Sequence, residues 1–95
     1  MQISQDSPQV TQHPEKQARF DLFAATLAEQ YADLFVNDPE YAYSASKCTP
    51  DSLARKMTIG LTSGRANKDG AGIKRTCKAL GINYTYKAIR EYLGV

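Results

Sequence analysis

The sequence predicts an all-α protein, a small bundle of about five helices with one long helix near the N-terminus and a closing helical pair at the C-terminus. Large apolar residues recur at three- and four-residue steps in several segments. Two segments open with a cap–proline–acid sequence, Asp38-Pro39-Glu40 and Thr49-Pro50-Asp51, the grammar of helix N-termini. No segment alternates apolar and polar residues as a half-buried strand would.

Residues 1–13 (MQISQDSPQVTQH) are rich in Gln, Ser and Thr and are expected to form a loose tail, because they offer little apolar surface to offset the entropy of ordering. Residues 14–95 are expected to form one helical domain. Pro14 suits a first helical turn, and Glu15 places negative charge where the helix dipole favours it. Phe20, Phe23, Ala24, Leu27, Tyr31, Leu34 and Phe35 then fall on one stripe. This helix should run to about Val36, where Asn37-Asp38-Pro39 stops it. Within it, Phe23, Leu27 and Leu34 are read as core, and Asp21, Glu29 and Asp33 as the polar side.

A short helix follows Asp38, and a third begins at Thr49. The third has Leu53, Met57, Ile59 and Leu61 on its apolar side and Gly64 placed to end it. Ser63 to Gly72 is the internal loop, with turn chemistry throughout. A helix starting at Asp69 or Gly70 carries Ile73, Thr76, Cys77 and Leu80 at helical spacing, ends at Gly81, and is followed by Ile82 as an apolar plug. The last helix begins near Asn83 to Thr85, with Ala88, Ile89, Tyr92 and Leu93 inward and Gly94 at its end.

Charge divides the chain. Residues 1–46 hold two Lys/Arg against seven Asp/Glu, residues 47–95 ten against three, so a net charge of +2 conceals halves of −5 and +7. Clustered cations are the electrostatic footprint of a surface that meets phosphates. Arg65 and Lys68 lie in the loop, and Lys74, Arg75 and Lys78 on the helix after it. Tyr84, Thr85, Tyr86, Lys87 and Arg90 crowd the start and outer side of the last helix. Helix N–H groups after Asp69 or Gly70 could add to a phosphate site.

Within residues 74–93, Gly81 provides a left-handed turn, Ile82 an apolar residue after it, and Cys77 a small residue four before it. This stretch resembles the helix–turn–helix of DNA-binding proteins. The resemblance implies that the last helix reads duplex DNA, with the ten residues just named as the interface. It departs from the pattern at Lys87, which stands six after the turn glycine, where such motifs bury an aliphatic residue. Ile89 is the first suitable residue, so the turn is either about two residues longer or a helical corner without recognition function.

Catalysis finds little support. His13 is the sole histidine and lies in the tail, and Cys48 and Cys77 alone make no zinc site. Gly64, Gly70 and Gly72 are not followed by the Lys-Ser/Thr of a phosphate-binding loop. No catalytic residue, cofactor or metal is therefore expected, nor a membrane span, since no apolar run approaches the roughly twenty residues required. The polar start and the two cysteines suggest a cytoplasmic chain with reduced thiols.

The sequence thus points to a small regulatory or architectural DNA-binding protein, from a bacterium or mobile element, acting by occupancy. The alternative is a protein-binding module or inhibitor of phage or plasmid type, directed at an acidic surface of a host protein. A minor enzyme subunit ranks third. Homodimerisation would relieve the small core of a 95-residue chain.

Overall fold

The structure is a computed structural model and describes residues 14–95; the expected tail, residues 1–13, lies outside the described residues. Helix α1 spans Pro14–Asn37. A 3-10 turn, Pro39–Tyr41, leads into the short α2, Ala42–Lys47, followed by α3, Pro50–Ser63, α4, Ala71–Leu80, and α5, Tyr86–Leu93. No strand occurs among the described residues. The all-α bundle with a long first helix is as the periodicity predicts.

Helix α1 is the spine. Its stripe buries Phe23, Leu27, Ala28, Tyr31 and Leu34, and α3, α4 and α5 all pack against it. They contribute Ala54 and Leu61 from α3, Ile73 and Cys77 from α4, and Ile89 and Leu93 from α5 to the same apolar cluster. Phe23 meets Tyr92 with ring centroids 6.4 Å apart. Phe20 and Phe35, expected on the stripe, border this core and are partly buried.

Helix ends follow the expected chemistry. Asp38 accepts a hydrogen bond from the Glu40 N–H at 2.9 Å and Thr49 from the Ser52 N–H at 3.1 Å. At the end of α4, Gly81 adopts φ 71°, where a side chain would be strained. The Ile82 N–H donates to the Cys77 carbonyl and the Gly81 N–H to that of Lys78, the paired bonds of a Schellman ending. Ile82 is half-buried beside the core, as expected of the plug.

Thr85 caps α5, its hydroxyl accepting from the Ala88 N–H at 3.0 Å. Thr85→Ala leaves that donor without its partner and is expected to lower stability by about 1 kcal/mol, read as a shifted urea midpoint.

The apolar side of α3 differs from expectation. Ala54, Thr58 and Leu61 are buried, Leu53 and Met57 border the core, and Ile59 is 50% exposed. Thr58 is admitted because its hydroxyl donates to the Ala54 carbonyl at 2.7 Å, which removes the cost of burying it; Thr76 does the same to Gly72 at 2.8 Å. Helix α4 starts at Ala71, one or two residues later than expected. Its N–H groups are also not all free, since the Tyr41 phenol accepts from the Gly72 N–H at 3.4 Å.

An aromatic group closes the α1–α4 contact. Tyr31, Phe35 and Tyr41 have ring centroids 5.9 to 6.4 Å apart. Tyr31 lies against Gly72 so closely that a Cβ there would meet its ring at 2.5 Å. Burial, reinforced by Tyr41 and Cys48 nearby, pushes the Tyr31 phenol far above its ordinary range, so it stays neutral. Cys77 is buried as expected, and Cys48 sits at the end of α2 with its thiol donating to the Ser44 carbonyl; both are free thiols.

Candidate nucleic-acid interface

The loop between α3 and α4 and the entry to α5 are tied together by two phenols. Tyr84 donates to the Lys68 carbonyl at 2.9 Å. Tyr86 donates to Asn67 Oδ1 at 3.1 Å and accepts from the Lys68 N–H at 3.1 Å. Asn67 Oδ1 also accepts from the Asp69 N–H at 2.9 Å, folding the Asn-Lys-Asp turn on itself. The loop is therefore held by side chains some sixteen to nineteen positions away in sequence.

Lys68 is the hub of this cluster. Its ammonium lies 4.2 Å from the Tyr84 ring centroid and 5.5 Å from that of Tyr86, and 3.5 Å from Asp69. With its side chain only 21% exposed, Lys68 is largely committed to these rings, an attraction worth about 0.5–2 kcal/mol per cation–π contact. It also bears on α4: burial pushes the Cys77 thiol up, and the Lys68 charge acts in the opposite sense.

The ten candidate residues accordingly divide. Arg65, Lys74, Lys78, Lys87 and Arg90 are exposed and make no ion pair among the described residues. Arg75 is turned to α1, where Nη1 donates to Asp33 Oδ2 at 2.8 Å. Asp33 is held in turn by the Asn37 amide at 3.0 Å. Both members of the Arg75–Asp33 pair are about half exposed, so its contribution to stability is small. Thr85 is occupied as the α5 cap, and Tyr84 and Lys68 face the loop cluster. Tyr86 is bonded to the loop yet remains 44% exposed.

After Gly81 the connection is longer than in the standard helix–turn–helix pattern. Residues 81–85 separate the two helices, Lys87 points to solvent, and Ile89 takes the buried position. Helices α4 and α5 are not an antiparallel hairpin resting on each other: α4 packs on α1, and α5 on α3 and α1. Periodicity did not reveal Asn67 or Tyr41, although the Asn-x-Asp spacing at the loop centre carries a turn signal.

No helix of the described residues is long and apolar enough to cross a membrane, and these residues contain no group of three or more His, Cys, Asp or Glu able to hold a metal ion. What fold and surface define together is an all-α bundle that displays cations with no ion-pair partner among the described residues beside a side-chain-braced loop. Comparison with protein-family models, with curated proteins and with solved structures finds no match.

Proposed function

We propose that the chain binds duplex DNA through the α3–α4 loop, α4 and α5, as a regulatory or architectural protein without catalytic chemistry. The observation that carries this reading is the brace of Tyr84 and Tyr86 on the loop around Lys68, with Arg65, Lys74, Lys78, Lys87 and Arg90 left exposed and without acidic partners among the described residues. An unpaired cation loses little when it exchanges water for a phosphate, and fixing the loop in advance lowers the entropic cost of binding. In this reading Lys87 and Arg90, three positions apart on the outer side of α5, contact the nucleic acid. Lys68 and Thr85 position the elements that carry them, and Arg75 is paired with Asp33 of α1.

Fluorescence titration with duplex DNA at several salt concentrations tests the proposal. The expected result is a steep fall of affinity with salt. In Lys87→Ala/Arg90→Ala, the slope of log affinity against log salt should shrink by about two, the loss of two phosphate contacts. Failure of both duplex and single strands to bind at low salt would overturn it and leave the alternative, an acidic protein surface as the partner of the same cations.

A further inference from the structure

Where α3 meets the start of the loop, the surface holds a groove of about 370 Å³ that shares only Arg65 with the proposed nucleic-acid face. Met57, Ile59, Gly60 and Ala66 form its apolar part, Lys56 and Arg65 its charged part, and no acidic residue lines it. Gly60 lets Ala66 pack directly against α3 beside the groove, since a Cβ there would lie 2.6 Å from that of Ala66. Ile59, 50% exposed, stands at its wall with no described partner for its outer half.

The chain itself presents the complement. On the outer side of α1, Leu22 is 50% exposed, adjacent to the exposed Asp21 and followed at helical spacing by the exposed Ala25 and Glu29. That is an aliphatic knob with small and acidic neighbours, set against an apolar groove with a cationic rim. Half of Leu22 is open to solvent and so available to a second molecule.

We propose that the groove formed by Met57, Ile59, Gly60 and Ala66 receives the Leu22 face of α1 from a second copy of this chain, with Asp21 and Glu29 of that copy meeting Lys56 and Arg65. Apolar insertion supplies affinity, and the charges set orientation and keep like faces apart. Every copy carries both halves of the contact, so the division of the sequence into acidic and basic halves becomes a self-recognition code. The contact does not rest on the DNA reading, and its test contains no nucleic acid.

Sedimentation velocity of the full chain across a concentration series, at low and at high salt, reads the association directly. A mass that rises with concentration at low salt and falls back at high salt is expected. Leu22→Asp and Ile59→Asp should each weaken self-association about tenfold or more, with the helical circular dichroism unchanged because both sites are half exposed. Lys56→Glu should weaken it as well, and Asp21→Lys combined with Lys56→Glu should recover it. The proposal is overturned by a monomer at every concentration in low salt, by association that Leu22→Asp and Ile59→Asp leave unchanged, or by a charge swap that fails to recover what Lys56→Glu lost.

Discussion

Phe23→Ala is expected to remove about 3–5 kcal/mol of stability, the cost of deleting a fully enclosed aromatic ring and leaving a cavity. A chain of this size has a total stability of about 5–14 kcal/mol at typical values per residue, so the variant loses a large fraction of it. The ring lies where α1 and α5 meet, beside Tyr92 and within the cluster that includes Leu27 and Ile89, and no neighbour can rotate in to fill its place without leaving its own contacts. Urea unfolding followed by circular dichroism measures the loss. Leu22→Ala, one residue earlier and half exposed, should change stability by no more than about 0.5 kcal/mol. Equal effects at the two positions would mean that α1 is rotated from the orientation described.

Gly72→Ala should destabilise, against the usual rule. Within helices alanine is favoured over glycine by up to about 1 kcal/mol, and Gly72 has helical backbone in the first turn of α4, so propensity alone predicts a gain. The new Cβ would instead meet Tyr31 Cε1 at 2.5 Å and Cδ1 at 2.9 Å. That ring is held by Phe35 and Tyr41 and is itself buried, so α4 must lift from α1. Overpacking of this kind costs about 1–3 kcal/mol. A double-mutant cycle isolates the cause: in a Tyr31→Ala background the same substitution should become neutral or stabilising. A loss that persists without the tyrosine ring would place the constraint elsewhere.

Both sites bear on how much of the molecule can be read from its residues in order. The stripe of α1 is legible because large side chains must be covered and helical spacing says which ones share a face. Starts at Asp38 and Thr49, and the ending at Gly81, are legible because unpaired backbone groups demand particular chemistry within a few residues. The inner face of α3 is not. Leu61 is buried as its hydrophobicity suggests, but the other buried positions are Ala54 and Thr58, small or internally bonded, while the larger Ile59 faces out, so hydrophobicity ranks these three in the wrong order. Close approach also leaves a weak trace: Gly72 looks like one more loop glycine until Tyr31 is seen against it.

The candidate interface shows the same division. Exposure of Lys74, Lys78, Lys87 and Arg90 follows from helical spacing once Ile73, Cys77 and Ile89 are placed inside. The tasks of Tyr84, Tyr86 and Lys68 could not be inferred in that way, because they depend on hydrogen bonds to the backbone of a loop distant in sequence. Nor does the sequence show that Arg75 turns to Asp33, a pairing across two helices separated by 42 positions.

The spine role of α1 also governs the order in which the chain can assemble. Lys16 lies over Gly94, and Phe23 is closed in by Tyr92, so the first described helix is completed by the last. Local helix formation can begin in any segment, and α3 and α4 can cover much of the α1 stripe, but its Phe23 end stays open until α5 arrives, after nearly the whole described chain has been looped back. During synthesis on the ribosome, Phe23 would therefore leave the exit tunnel long before Tyr92 exists to cover it. That interval of open apolar surface is when the nascent chain is most exposed to aggregation and most in need of a chaperone.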